Sequence, residues 1–397
     1  MITSRLPQVG TTIFTVMSAL AARHNAVNLG QGFPDFDCDP ALVDAVTRAM
    51  QAGHNQYPPM AGWPRLREAI ADKIAAIYGH RYDPDTEITV TAGATQALLT
   101  AILALIHPGD EAIVIEPAYD SYVPAILLAG GRPRIVQMRA PHESQARFTI
   151  PWDEVRDAVT SKTRLILVNS PHNPTGMTMR EGDLRALEDI VAHHALYVLS
   201  DEVYEHMVFD GRRHESVSHY PALAQRSIVV SSFGKTFHVT GWKVGYAAAP
   251  RALSEEFRKV HQFNVFTVNT PMQAAIAEYL HDPSPYLQLP AFYQAKRDFF
   301  RAGLAGTRFK LLPAEGTYFQ TVDFGAVRND LSESDFCRWL TSEIGVAAIP
   351  LSAFHESPRE SRRESLHGSS PDARLIRFCF GKKKETLARA LDRLAAI

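Results

Sequence analysis

The sequence predicts an α/β protein: a mainly parallel sheet between helices, followed by a smaller α+β unit. Three observations carry this. Between about residues 86 and 280, short apolar runs alternate with helical patterns, as buried parallel strands covered on both faces require. After about residue 285 the texture changes to a helix, a strand pair, a helix, two strands and a helix. The 397 residues also exceed what one simple core takes.

The elements follow in order. "TEITVTA" leads into the helical "TQALLTAILALI", and "EAIVIEP" into "SYVPAILLA". "TRLILVNS", "LYVLSDE", "SIVVSS" and "VGYAAAP" complete the run of strands, mostly with helix-like segments between them. Then come the helical "LPAFYQAKRDFFRAGLA", the strand pair within "FKLLPAEGTYFQTVDF", the strands "GVAAIP" and "RLIRFCF", and the helical "KETLARALDRLAAI". The first 40 or so residues lack the alternation and are expected to pack with this last unit. The expected division is 1–45, 46–285 and 286–397. Residues 356–372, "ESPRESRRESLHGSSPD", are rich in Ser, Arg and Glu and read as a solvated loop.

Composition narrows the function. Lys and Arg number 41 against 43 Asp and Glu, a net charge of −2, so no basic excess points to nucleic acid or an anionic membrane. Three isolated cysteines, Cys38, Cys337 and Cys379, suit a reducing compartment. The N-terminus is not patterned as a secretion signal, and the longest apolar run is about half a bilayer span. A cytoplasmic protein with a small-molecule partner is expected.

Polar residues cluster where the strands end. "LILVNS" runs into "PHNPTG" with Asn173, "YVLS" into Asp201 and Tyr204, and "IVVSS" into Ser232 and Lys235. In an open parallel sheet, ligands bind at the carboxyl ends of the strands. A fourth strand runs into Gly93, Ala94 and Thr95, a glycine turn and helix start with free N–H groups suited to a phosphate. Lysines are seldom buried without a task, yet Lys235 lies between apolar runs.

A cofactor with one phosphate, an aldehyde, a ring nitrogen and a phenolic oxygen fits this set: pyridoxal 5'-phosphate. Lys235 would form the Schiff base. Asp201 would pair with the ring nitrogen; at about 4 Å and an effective dielectric near 20 this is worth roughly 4 kcal/mol, or about three pKa units. Tyr204 and Asn173 would donate to the phenolic oxygen. Ser232, Lys243 and the N–H groups near Ala94 and Thr95 would hold the phosphate. Singly, each signal has an ordinary explanation: a surface lysine, a plain strand end, a turn before a helix. Their order on this pattern is what is specific.

With "SFGKTF…GWKVGY", "NSPHNPTG" and "SDEVYE" in place, the chain resembles the class I/II aminotransferases of PLP fold type I. The likeness runs from "NLGQGFPDFD" through "NQYPPMAGWPRLREAIA" to "RLIRFCF". "GQGFPDF", "EPAYDSYVP" and "GWKVGY" make it most similar to the kynurenine, glutamine and methionine aminotransferase subgroup. The resemblance implies a mainly parallel seven-stranded sheet and a small domain built from both termini. It implies that Tyr119 stacks on the cofactor ring, and that Tyr57 reaches the phosphate of a neighbouring subunit in a homodimer with shared sites. It implies that the Gly32 backbone and Arg377 bind the substrate carboxylate, Arg377 by a two-pronged fork. Asn173 joins the substrate-binding set, and Phe14, Phe266 and Phe354 are candidate pocket residues.

The expected reaction is ping-pong transfer of the amino group from a large neutral amino acid to a 2-oxo acid. No second arginine for a side-chain carboxylate is assignable. Alternatives are cysteine-conjugate β-lyase chemistry at the same site, or a non-catalytic PLP-binding regulator. No metal is expected: in "HESVSH", His214 and His219 are five apart rather than i, i+4, and read as surface histidines. The 356–372 run appears longer than the family pattern, with solvent or the site entrance as its two placements.

Overall fold

A computed structural model of the chain describes residues 2–7, 9–142, 145–356 and 374–397. Apart from Glu356, the Ser-, Arg- and Glu-rich run 356–372 lies outside the described residues.

Thirteen strands form three sheets among the described residues. They are β1 (Val27–Asn28), β2 (Ile88–Thr91), β3 (Glu111–Glu116), β4 (Arg132–Gln137), β5 (Thr163–Asn169), β6 (Tyr197–Asp201) and β7 (Ser227–Ser232). Then come β8 (Gly245–Ala248), β9 (Lys310–Leu311), β10 (Phe319–Asp323), β11 (Val346–Ala347), β12 (Ile349–Pro350) and β13 (Leu375–Cys379). The large sheet has seven strands in the order β2-β8-β7-β6-β5-β3-β4. All its pairings are parallel except those of β8, which runs antiparallel to both neighbours.

Both faces of this sheet are buried, which explains the continuous apolar runs. Along β5, Ile166 and Val168 join one core and Leu165 and Leu167 the other. Successive side chains of a strand point to opposite faces, so a strand covered twice must be apolar throughout. Six of the seven strands were legible this way; β4, "RPRIVQ", was not. It is an edge strand, with Arg132 and Arg134 exposed and Pro133 in place of a ladder donor.

The second sheet is antiparallel, β12-β13-β10-β9, with Arg377 of β13 opposite Thr321 of β10. The chain's start joins the C-terminal half directly: β1 pairs in parallel with β11, Val27 against Val346, and Leu29 O accepts from Cys379 N at 2.7 Å. Gly32 and Arg377 are thereby held in one body. Among the described residues, no helix is long and apolar enough to cross a membrane.

Candidate active site

The carboxyl ends of β5, β6 and β7 open onto a cavity of about 240 Å³. Its walls include Phe14, Gly32, Ala94, Thr95, Tyr119, Asn173, Asp201, Tyr204, Lys235 and Arg377. Ten residues picked from sequence thus meet there, drawn from positions 14 to 377.

Lys235 follows β7 in a one-turn helix, Phe233–Thr236. Its Nζ donates to Gly32 O at 2.9 Å and to Tyr318 Oη at 2.8 Å. It also lies 5.5 Å from the ring centroids of Tyr204 and Tyr318. Desolvation pulls its pKa down to about 8, against the attraction of Asp201. A lysine near neutrality is a usable nucleophile and base.

Asp201 ends β6 and is buried. Its Oδ2 accepts from Tyr122 Oη at 2.7 Å, and Asn169 Nδ2 donates to its backbone oxygen at 2.8 Å. Burial pushes its carboxyl up to about 6, with the Tyr122 hydrogen bond opposing. A cation beside it would return it to the ionised form. Burial also raises the pKa of Tyr204 and Tyr318, so both remain protonated donors at neutral pH.

Arg377 is 1% exposed. One Nη donates to Asn173 Oδ1 at 2.7 Å and the other to Gly30 O at 3.0 Å. Its Nε is buried without a partner, and its guanidinium lies 3.9 Å from the Phe319 ring centroid. No carboxylate pairs with it among the described residues, and burial lowers its pKa to about 10. A buried cation without a counter-ion is costly, and an incoming carboxylate would supply one.

The turn expected to hold a phosphate is equally specific. Gly93 has φ +78° and precedes the helix Ala94–Leu105, whose first turn has no side-chain cap. A Cβ at Gly93 would stand 3.1 Å from Lys243 Nζ, so the missing side chain lets that amine approach the helix start. Lys243 itself adopts φ +56° in the turn before β8. Ser232 Oγ accepts from Gly234 N at 3.2 Å, leaving its proton to donate elsewhere. Uncapped N–H groups, a hydroxyl, an ammonium, a buried carboxylate and a low-pKa amine fit pyridoxal phosphate in donor set and charge.

Of the expected residues, Gly93, Ser232, Lys243, Tyr57, Phe266 and Phe354 do not line the cavity. Tyr57 is 80% exposed and Phe266 46% exposed, and their rings meet edge-to-face at 5.4 Å. Phe266, read as a pocket residue, is therefore outside the cavity in this chain; it follows the helix Arg251–Asn264 with a backbone φ of +70°. Phe354 is buried behind Phe14, at 5.9 Å edge-to-face, and backs Arg377 at 5.0 Å. His214, read as a surface histidine, is buried, with Nε2 2.8 Å from Glu202; His219 is exposed. Among the described residues no cluster has metal-binding character.

Sequence reasoning missed Tyr318, Asn169, Tyr122 and Phe319. Asn169 and Tyr122 lay inside quoted motifs, unassigned. Tyr318 and Phe319 come from "EGTYFQ", and only the approach of β10 to the large sheet brings them to Lys235 and Arg377.

The family model of class I and II aminotransferases matches residues 24–394. The chain is 49% identical to a methionine aminotransferase of Escherichia coli, over 98% of this chain and 97% of that protein. It is 35% identical to a kynurenine–oxoglutarate transaminase of Dictyostelium discoideum, over 97% and 94% of the two chains. A solved Escherichia coli structure whose reactivity identified a methionine aminotransferase function superposes with a TM-score of 0.94, at 48% identity over 100% of both chains. An N-succinyldiaminopimelate aminotransferase structure from Mycobacterium tuberculosis gives 0.93 at 40% identity, again over 100% of both. The match spans the sheet, the cavity and both ends of the chain, so the protein belongs to the class I and II aminotransferase family and is an aminotransferase.

Proposed function

We propose that this aminotransferase uses pyridoxal 5'-phosphate to move the amino group of a large neutral amino acid, methionine foremost, to a 2-oxo acid by a ping-pong route. The observation that carries this reading is Arg377: a buried guanidinium with no carboxylate partner among the described residues, facing a cavity where Lys235 is the only other cation among the described lining residues. Arg377 takes the α-carboxylate. The substrate side chain is left against Phe14, Phe33, Leu98 and Phe319, where a second carboxylate would have no cation. The methionine and kynurenine relatives support the same substrate class.

When bound, the cofactor supplies the electron sink that makes the substrate α-proton acidic. The chain's residues do the rest. Lys235 would hold the cofactor through its amine and, once free, would take the proton from the substrate α-carbon and return it. Asp201, fixed by the hydrogen bond from Tyr122, would hold a positive charge at the ring nitrogen. Asn173 and Gly30 hold the Arg377 fork in place. We assign ring stacking to Tyr119 and phosphate contacts to Ser232, Lys243 and the N–H groups at Ala94 and Thr95.

We read the chain as a cofactor-holding unit, residues 46–285, and a substrate-gripping unit made of 1–45 and 286–397. A homodimer completes the site, with Tyr57 reaching the neighbouring subunit's phosphate. Exposed Tyr57, Phe263 and Phe266 supply an apolar surface for that contact.

The test is a donor panel of methionine, phenylalanine, glutamine, kynurenine and aspartate, run with absorbance from 300 to 500 nm. Methionine should bleach the visible band, and its kcat/KM should exceed that of aspartate by on the order of 10²-fold. Aspartate as best donor would refute the substrate class. No visible band after adding pyridoxal phosphate would refute the cofactor. Pyruvate and ammonia formed without a 2-oxo acid acceptor would mark the β-lyase reaction instead.

A further inference from the structure

A second cleft, of about 750 Å³, shares no lining residue with the active-site cavity. It lies between Pro141, His142, Ala146, Arg147, Arg180, Asp210 and Arg212 on one side and Arg297, Arg301 and residues 310–315 on the other. We propose that this cleft binds a small phosphate-bearing polyanion of the diphosphate class.

Its charge is unbalanced. Arg147, Arg180, Arg212, Arg297, Arg301 and Lys310 line it, against only Asp210 and Glu315 among the described lining residues. Glu315, itself buried, meets three guanidiniums at once: Arg147 at 2.9 Å, Arg180 at 3.0 Å and Arg212 at 2.7 Å. Each reaches it through a single nitrogen, so none forms the two-pronged fork that guanidinium geometry favours. One carboxylate cannot neutralise three such cations. Burial opposes the ionisation of Glu315, yet Arg147 and the hydrogen bond from Arg212 hold its carboxyl at about 2.

The other cations show where a ligand has room. Arg297 is already matched, gripping Asp210 at 2.8 and 2.6 Å and Asp298 at 2.8 Å. Among the described residues Arg301 bonds only neutral acceptors, Leu312 O at 2.9 Å and Gln320 Oε1 at 2.7 Å. Lys310 makes no side-chain hydrogen bond or ion pair among the described residues, and Arg147 Nε is buried without a partner. Spare donors therefore remain on both walls of one concave site.

Phosphate suits this better than carboxylate. It offers three acceptor oxygens and up to two charges to converging forks, and a diphosphate spans cations on both walls. The cleft's size selects a small molecule. The chain's net charge of −2 argues against general nucleic-acid binding.

The experiment is calorimetric titration of inorganic pyrophosphate into the enzyme saturated with pyridoxal phosphate, which fills the other phosphate site. We expect one site per chain with a Kd below about 1 mM. Lys310→Gln and Arg180→Gln should each weaken binding about ten-fold while leaving kcat/KM for the amino donor unchanged. Lys310 is exposed and unpaired, so its loss does not threaten folding. No binding would overturn the proposal. So would binding that both substitutions leave intact, binding competitive with the amino donor, or malonate binding as tightly as pyrophosphate.

Discussion

Lys235 carries the most chemistry per atom in the proposed mechanism. Desolvation prepares its amine, and Tyr318 and Gly32 aim it. Lys235→Ala should lower turnover by 10³-fold or more, roughly the combined value of a nucleophile and a proton carrier; near wild-type transamination without added amine would disprove the role. Burial also has a stability signature in the cofactor-free chain. The folded pKa of about 8 lies below the ordinary 10.5, so between these pH values the unfolded chain binds more protons. Stability contributed by this group therefore rises with pH across that window, and the penalty is fully present below about 8. Denaturant midpoints at pH 8 and 10 should show a smaller rise in Lys235→Met than in the wild type. Arg377 is the second such residue. Arg377→Lys keeps a charge but loses the fork, and kcat/KM for methionine should fall about 10²-fold, mostly through KM.

At the scale of elements, the site exists because strands end where helices begin. β5, β6 and β7 place Asn169, Asp201 and Ser232 in a row, and β8 returns antiparallel to bring Lys243 to the same edge. Gly245 makes the close approach possible: a Cβ there would stand 2.7 Å from Ser231 O and 3.2 Å from Ala94 N. Gly93→Ala should destabilise the chain by about 1–2 kcal/mol, the penalty for a left-handed φ at a residue with a side chain. The added methyl also crowds Lys243 at the helix start, so cofactor affinity should fall. Chemical denaturation measures the first effect and spectroscopic titration with pyridoxal phosphate the second; unchanged affinity would remove the helix start from the phosphate site.

At the scale of the whole molecule, residues distant in sequence meet. Gly32 with Lys235, Asn173 with Arg377, and Tyr318 with Lys235 join the two ends of the chain to the large sheet. If the dimer shares its sites, Lys235→Ala and Tyr57→Ala subunits should complement one another. Random mixing makes half the dimers heterodimeric, each with one intact site, so about a quarter of wild-type sites should return. No gain over the separate variants would show that Tyr57 serves its own subunit or none. Light scattering on the purified enzyme reads the dimer directly.

The amino-acid sequence alone determined the alternation of buried strands and helices, the strand-end placement of Asn173, Asp201 and Lys235, and the glycine turn at Gly93. Each is local: two-sided burial demands apolar runs, and turn chemistry demands glycine. Edge strand β4 escaped because one-sided exposure and Pro133 erase that signal. The roles proposed for Gly32, Tyr119 and Arg377 rest on resemblance to a family. Tyr318 and Phe319, the backing of Arg377 by Phe354 and the exposure of Phe266 were decided by tertiary structure. So was the crowding of three arginines on Glu315. These depend on contacts across long stretches of chain, and no spacing or periodicity records which distant side chains will share a cavity.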